Sequence, residues 1–171
     1  VLAQSPGYIG EYYNNRLAEG QADPVVITAP QTTGPINFAL ALASSITGTV
    51  TSSRDGQPIP QGADVEVYTP DHNWGASVRT DSTGVYTAPN LVAGQYIVEA
   101  RAPGHVRTFY PHVRQIELAT QVPVTAGQTT GNINIVLEAG GMISGVVYTA
   151  TGGGRLANIE VSASADGDAW R

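Results

Sequence analysis

The sequence predicts an all-β protein built from β-sandwich repeats of seven strands, with one complete and two partial copies. Three observations predict it: apolar and polar residues alternate with a period of two, a long internal repeat recurs at one fixed offset, and Gly, Pro and Asp turn signals separate the alternating runs. The composition agrees. The 171 residues include 20 Gly and 11 Pro, are 42% hydrophobic and only 13% charged, about half the usual charged share of a soluble domain.

The repeat sets the organisation. Val25 and the run Thr28-Ala29-Pro30-Gln31-Thr32-Thr33-Gly34-Pro35-Ile36-Asn37-Phe38-Ala39-Leu40 return as Val122 and Thr125-Ala126-Gly127-Gln128-Thr129-Thr130-Gly131-Asn132-Ile133-Asn134-Ile135-Val136-Leu137, an offset of 97. The same offset carries Pro6-Gly7 onto Pro103-Gly104, Tyr12-Tyr13 onto Phe109-Tyr110, and Ile46, Gly48 and Val50 onto Ile143, Gly145 and Val147. After a three-residue deletion, Ala63-Asp64-Val65-Glu66-Val67 matches Ala157-Asn158-Ile159-Glu160-Val161. The unit of about a hundred residues suits a small sandwich. Residues 1–43 then form the C-terminal part of one repeat, 44–138 a complete copy, and 139–171 the N-terminal part of the next.

Within the complete copy each strand follows from alternation. Ile46, Gly48 and Val50 face opposite to Thr47, Thr49 and Thr51, and Val65 and Val67 opposite to Asp64, Glu66 and Tyr68. Tyr96, Val98 and Ala100 alternate with Ile97, Glu99 and Arg101, and Ile133, Ile135 and Leu137 with Asn132, Asn134 and Val136. Strands are expected near 44–52, 63–69, 76–80, 94–101, 106–110, 122–126 and 132–138. Turns fall at Asp55-Gly56, Pro58 to Gly62, Asp81 to Gly84, Ala93-Gly94 and Pro103-Gly104. Gly62-Ala63 admits a tight entry into a buried strand, Asp81 caps the amides that follow it, and Leu91 and Tyr96 plug the core.

The ordered series Ile46-x-Gly48-x-Val50, Asp55-Gly56-Gln57-Pro58-Ile59, Gly62-Ala63-x-Val65-x-Val67, Thr80-Asp81-x-x-Gly84-x-Tyr86, Leu91-x-x-Gly94-x-Tyr96-x-Val98 and Ala102-x-Gly104 resembles the carboxypeptidase regulatory-like domain. That domain is a transthyretin-like (Ig-like) sandwich related to the B-type repeats of bacterial surface adhesins. The resemblance covers 44–138 fully and both ends in part. It implies a stalk, spacer or binding module, and the fold prescribes no chemistry. The adhesin relatives often carry a Lys–Asn isopeptide bond, which a chain without Lys cannot form.

Composition removes several functions. There is no Cys, so no disulfide, thiolate nucleophile or Cys metal site; all eight basic residues are Arg, which excludes Schiff-base chemistry. A net charge of −6 without a basic patch argues against nucleic acid. No apolar run approaches the ~20 residues of a membrane span. His72, His105 and His112 lack further ligands at metal spacing and read as loop or surface residues. Asp81-Ser82-Thr83-Gly84 and Asp166-Gly167-Asp168 supply too few oxygens for calcium and read as turns. No Ser occupies a nucleophile elbow, and Glu66 and Glu99 fall on outward strand faces, where a solvated charge is expected. No catalytic residue, metal or cofactor is expected.

Three sets of residues remain as candidates. Trp74, Tyr68 and Trp170 form a candidate glycan contact, with Trp74 and Trp170 at equivalent repeat positions; a loop anchor or inter-domain contact is the plainer reading and the favoured one. Thr32, Thr33, Thr129 and Thr130 lie in Thr/Pro/Gly-rich stretches suited to O-glycosylation, and no Asn-x-Ser/Thr sequon is present. Ile36, Phe38, Leu40, Ile143, Val147, Ile159 and Val161 are candidate inter-subunit strand residues, because a partial sandwich leaves apolar faces and strand edges open.

The expected function is therefore a non-catalytic structural subunit of an extracellular or cell-surface filament, its partners being copies of itself. It assembles head to tail by strand complementation or as a tandem array. The alternative is a carbohydrate-binding or spacer module of a larger secreted enzyme or adhesin, with a polysaccharide as partner. The stretch equivalent to 76–102 is expected to be missing from both ends.

Overall fold

The computed structural model describes residues 1–141 and 143–162. It divides into two compact units, Val1–Gly140 and Gly141–Arg171. The described residues are all-β apart from two 3-10 turns, Glu19–Gln21 and Ile116–Leu118.

The strands are β1 (Leu2–Ala3), β2 (Glu11–Tyr12), β3 (Ser44–Ser52), β4 (Asp64–Tyr68), β5 (Trp74–Arg79), β6 (Val85–Leu91), β7 (Gly94–Arg101), β8 (Thr108–Phe109), β9 (Val122–Val124), β10 (Thr129–Thr130) and β11 (Ile135–Leu137). In one sheet β3 pairs antiparallel with β6 on one side and parallel with β10 and then β11 on the other. In the second, β4 lies between β5 and β7, and the two ends of β7 pair with β9 and β8.

Alternation does what the sequence predicts along β3: Ser44, Ile46, Gly48, Val50 and Ser52 are buried and the residues between them are half-buried. Ile46, Val50, Tyr86, Ala88, Leu91, Ile135 and Leu137 from the first sheet meet Val65, Val67, Tyr96, Val98, Val122 and Val124 from the second in one core. Each fully buried aliphatic side chain contributes about 1.5–3 kcal/mol relative to an exposed one, so this shared core holds the two sheets together. Gly62 takes φ +75° at the turn into β4, and Thr80 Oγ1 accepts the Ala63 amide at 2.8 Å.

Residues 44–138 contain nine strands, where the alternation pattern predicts seven. β6 is absent from the expected set because Pro89 interrupts its run. It sits at a sheet edge, pairing with β3 alone and with a register shift between Ser44 and Ile46 opposite, and an edge tolerates the missing N–H. The run at 132–138 narrows to β11, with β10 added before it.

Residues 1–43 reproduce, at the offset of 97, the hydrogen bonds of residues 98–140. Leu2 pairs with Tyr12 as Glu99 pairs with Phe109. Ile9 N donates to Ala41 O at 2.8 Å as Val106 N donates to Glu138 O at 2.8 Å. Tyr13 N donates to Val1 O at 3.0 Å as Tyr110 N donates to Val98 O at 2.9 Å. The two 3-10 turns obey the same offset. β1 is therefore the counterpart of the end of β7, which corrects the expectation that everything equivalent to 76–102 is missing: the N-terminal copy begins at the equivalent of Val98.

In the second unit, Thr149 N donates to Gly154 O at 2.9 Å, as Ser52 N donates to Gln57 O at 2.9 Å, and Tyr148 bridges Arg155 as Thr51 bridges Pro58. The hairpin geometry after β3 thus recurs, and no strand forms among the described residues of this unit.

Candidate functional site

The two partial copies differ from the complete one chiefly in what covers them. Ile46, Val50, Val65 and Val67 are at most 1% exposed, whereas their counterparts Ile143 and Val161 are 88% and 73% exposed. Val147 and Ile159 are likewise exposed. Gly48 and Gly145 mark the same contrast in the backbone. A Cβ on Gly48 would stand 1.9 Å from the carbonyl oxygen of Ile133, while a Cβ on Gly145 would meet nothing within 4 Å.

At the other end, Ile36, Phe38 and Leu40 are half-buried, with Phe38 edge-on to Tyr13 at 6.3 Å. Their counterparts Ile133, Ile135 and Leu137 are core residues. Val26 and Ile27 are exposed. An open depression of about 480 Å³ between Gln4, Pro6, Tyr8, Ile9 and Asn90 offers few ionisable groups.

The outer face of the β4–β7–β8 sheet holds a departure from the expected charge pattern. Glu66 and Glu99 are direct cross-strand partners, and Glu99 is buried at 4% exposure rather than solvated. Alternation assigns Glu99 to the correct face. That face is closed here, because its register partner Phe109 is itself buried and carries the Arg107 guanidinium 5.3 Å from its ring. Arg101 and the Tyr68 hydroxyl both donate to Glu66. Arg101 Nε lies 3.2 Å from Glu99 Oε1 without hydrogen-bond geometry, so that buried oxygen has no hydrogen-bond partner. Burial pushes the Glu99 carboxyl above its ordinary value, and the charge of Arg107 pulls back against it. Burial, and then the Glu99 charge, push the Tyr68 hydroxyl up. With Glu66 held by Arg101 and Tyr68, the cluster works as an ion-paired clamp joining β4 and β7.

Trp74 opens β5 and is 68% exposed, opposite Tyr68 across a bulge. The hairpin before it is ordered by its own side chains: Thr69 and Asn73 donate to Asp71 and hold its carboxyl below the ordinary value, and His72 takes φ +64° at the tip. Trp170 and the Asp166-Gly167-Asp168 turn lie outside the described residues.

Thr32 is exposed and Thr33 donates to Val26 O at 3.2 Å; their counterparts are Thr129, whose hydroxyl bonds Ser45 Oγ at 2.8 Å, and Thr130, which donates to Pro123 O at 2.9 Å. His105 Nε2 lies 3.1 Å from Ser52 Oγ, and His112 accepts the Val136 amide at 3.4 Å. Asp81 Oδ1 accepts from Thr83 N at 2.8 Å, Thr83 Oγ1 at 2.7 Å and Val85 N at 3.0 Å, with Gly84 at φ +79°. Among the described residues no three His, Asp or Glu side chains converge on one point, and no helix is long and apolar enough to cross a membrane.

No curated protein matches the chain. Among solved structures it is similar to a chain of a type II cohesin–X-dockerin complex from Acetivibrio cellulolyticus, at 18% identity and a TM-score of 0.37, over 56% of this chain and 58% of that one. It is similar to the TIE protein of Bacillus anthracis at 21% identity and a TM-score of 0.41, over 67% of this chain and 20% of that one. It is also similar to a minor pilin of Streptococcus agalactiae at 16% identity and a TM-score of 0.39, over 60% and 46%. In each case the match spans less than two thirds of the other protein's length. The model of the carboxypeptidase regulatory-like domain matches residues 45–138. That stretch contains both facing sheets and exceeds half of the sequence, and the chain belongs to the carboxypeptidase regulatory-like domain family.

Proposed function

We propose that this chain is a non-catalytic structural module of an extracellular or cell-surface fibre. Copies of its β-sandwich are joined head to tail, as a tandem array or by β-strand complementation. One observation carries this reading: the hydrogen bonds of the complete domain recur at an offset of 97 in residues 1–43 and again in 147–155. Such a series of equal units is the pattern of a repeat array, in which each unit is stabilised by its neighbours. The contact is heterologous, and a heterologous contact whose rotation does not close a ring propagates into a filament. Low charge and the lack of Cys and Lys leave strand pairing and apolar burial as the cohesive forces. Thr32, Thr33, Thr129 and Thr130 remain candidates for O-linked sugar on such a fibre. The exposed positions of Thr32, Thr33 and Thr129 support those three better than the half-buried Thr130.

The test is the mass and shape of purified chain across a concentration series, by light scattering and electron microscopy. Elongated, concentration-dependent species are expected. A compact monomer at every concentration, with residues 143–161 protected from amide exchange, would overturn the reading.

Trp74 favours a second reading, a carbohydrate-binding or spacer module of a larger secreted enzyme or adhesin. Its ring is exposed on an edge strand beside Tyr68, where it offers a flat apolar face to a sugar ring. Glycan-array binding that Trp74→Ala abolishes would support this. Absence of binding to any polysaccharide would remove it.

A further inference from the structure

The depression beside Asn90 lies where the first partial repeat meets the complete one, and its two walls belong to different repeats. Gln4, Ser5, Tyr8 and Ile9 line one side and Asn90 of β6 the other, around a volume of about 480 Å³. That size falls within the range of small-molecule sites, roughly 300–1,000 Å³. The loop wall faces away from the sandwich core. Arg101, Pro103 and Arg107, the counterparts of Gln4, Pro6 and Gly10 at the offset of 97, are exposed in the complete repeat, whose own strands are all in place.

Both walls are held by groups other than those that line the site. Ile9 N donates to Ala41 O at 2.8 Å and Ala43 N to Gly7 O at 3.0 Å, which fixes the loop to the segment entering β3. Leu42 in that segment packs on the β9–β10 turn, where a Cβ on Gly127 would stand 3.1 Å from Leu42 Cδ1. Ser44 Oγ donates to Thr125 O at 2.9 Å and accepts from Gly127 N at 3.0 Å. On the other wall, Pro89 and Asn90 stand opposite the single residue Ser45, between the pairs Ile46–Ala88 and Ser44–Leu91. Such a bulge re-aims a side chain, and Asn90 takes φ +59° there. Gly10 leaves room for Gln4 to lie across it, since a Cβ there would stand 3.1 Å from Gln4 Cγ.

We infer that this joint binds a neutral sugar residue of a glycan, the Gln4 and Asn90 amides and the Ser5 hydroxyl bonding its hydroxyls and the Tyr8 ring lying against its C–H face. The inference rests on the carbohydrate-binding reading and deepens it, at residues other than Trp74. The lining selects the ligand class. Two side-chain amides, a hydroxyl and a phenol donate and accept without charge. No Arg, Asp, Glu or His is among the described residues that line the walls, so an acidic or basic ligand finds no counter-ion. The Tyr8 ring is 43% exposed and offers an apolar face. A purely apolar ligand would leave four polar side chains without partners. An extended peptide reads a sheet edge through its backbone, whereas these walls are a loop and one side chain.

The test is a nuclear magnetic resonance titration of the nitrogen-15-labelled chain. The probes are maltohexaose, cellohexaose, mannohexaose and xylohexaose, with hexagalacturonate as the charged comparison. The side-chain amide signals of Gln4 and Asn90 report contact directly. Both should shift with at least one neutral probe, and Tyr8→Ala and Asn90→Gly should each weaken that binding at least tenfold. Glycine accepts the positive φ, so Asn90→Gly removes the amide, keeps the bulge and should leave the melting temperature unchanged.

Neutral-sugar binding that moves neither amide signal, that survives both variants, or that hexagalacturonate matches would overturn the inference. If Trp74→Ala abolishes binding while the Tyr8 and Asn90 variants bind as the parent does, the joint site fails and the Trp74 reading stands. If no probe binds, both fail.

Discussion

The hydroxyl of Tyr86, on the edge strand β6, donates a hydrogen bond of 2.7 Å to the backbone carbonyl of Ile133, just ahead of β11. These residues flank β3 from opposite sides, so one side chain spans the central strand and ties its two neighbours together. Burial pushes the Tyr86 phenol well above its ordinary value, with a smaller contribution from Tyr110.

Tyr86→Phe should cost about 1–3 kcal/mol in chemical denaturation, since a buried acceptor loses its donor. A phenol held protonated in the folded state stabilises fully below its unfolded value of 10.0, and that contribution is lost as pH rises beyond it. The variant should therefore show a smaller loss of stability than the parent above pH 10.

Gly48→Ala should destabilise the complete domain by about 3 kcal/mol or more, because the new Cβ would overlap a backbone carbonyl that cannot rotate away. Gly145→Ala should change the same melting transition by less than about 0.5 kcal/mol. Thermal unfolding followed by circular dichroism measures both.

Glu99→Gln should flatten part of the pH dependence of stability. The Glu99 carboxyl is raised in the folded state, so the folded protein binds a proton that the unfolded chain has released. Stability then falls as pH rises from the ordinary carboxylate value, 4.5, through the raised folded value. Glu66, Arg101, Arg107 and Tyr68 face this group, and the Gln variant keeps their packing. Urea denaturation at a series of pH values should show a shallower fall for Glu99→Gln across that window.

Asp81→Ala should lower the melting temperature, while Asp81→Asn should retain most of it, because Asn keeps an acceptor for the Thr83 and Val85 amides. The Thr83 hydroxyl first, and then the Thr83 and Val85 amides, hold the Asp81 carboxyl below its ordinary value of 3.8. Its contribution is present above that value and is lost as pH falls through the depressed folded one, so the gap between parent and Ala variant should narrow under acid.

The period of two, the turn residues and the offset of 97 are local properties, and they determined much of the architecture. Alternation in β3 and β4, the Asp81–Gly84 turn, the core positions Leu91 and Tyr96 and the family itself all follow from residues close together in the chain. Tertiary contacts decided the rest. β6 could not be read because Pro89 is acceptable only where one strand edge is free, and the position of a strand in its sheet is a long-range fact. Glu99 alternates onto the outer face as expected, yet it is buried there because Phe109 and Arg107 arrive from another strand. The contrast between Gly48 and Gly145, at equivalent positions of the repeat, depends on whether a distant carbonyl lies above them. Sequence periodicity records which face a residue takes, and only the folded chain records what stands opposite that face.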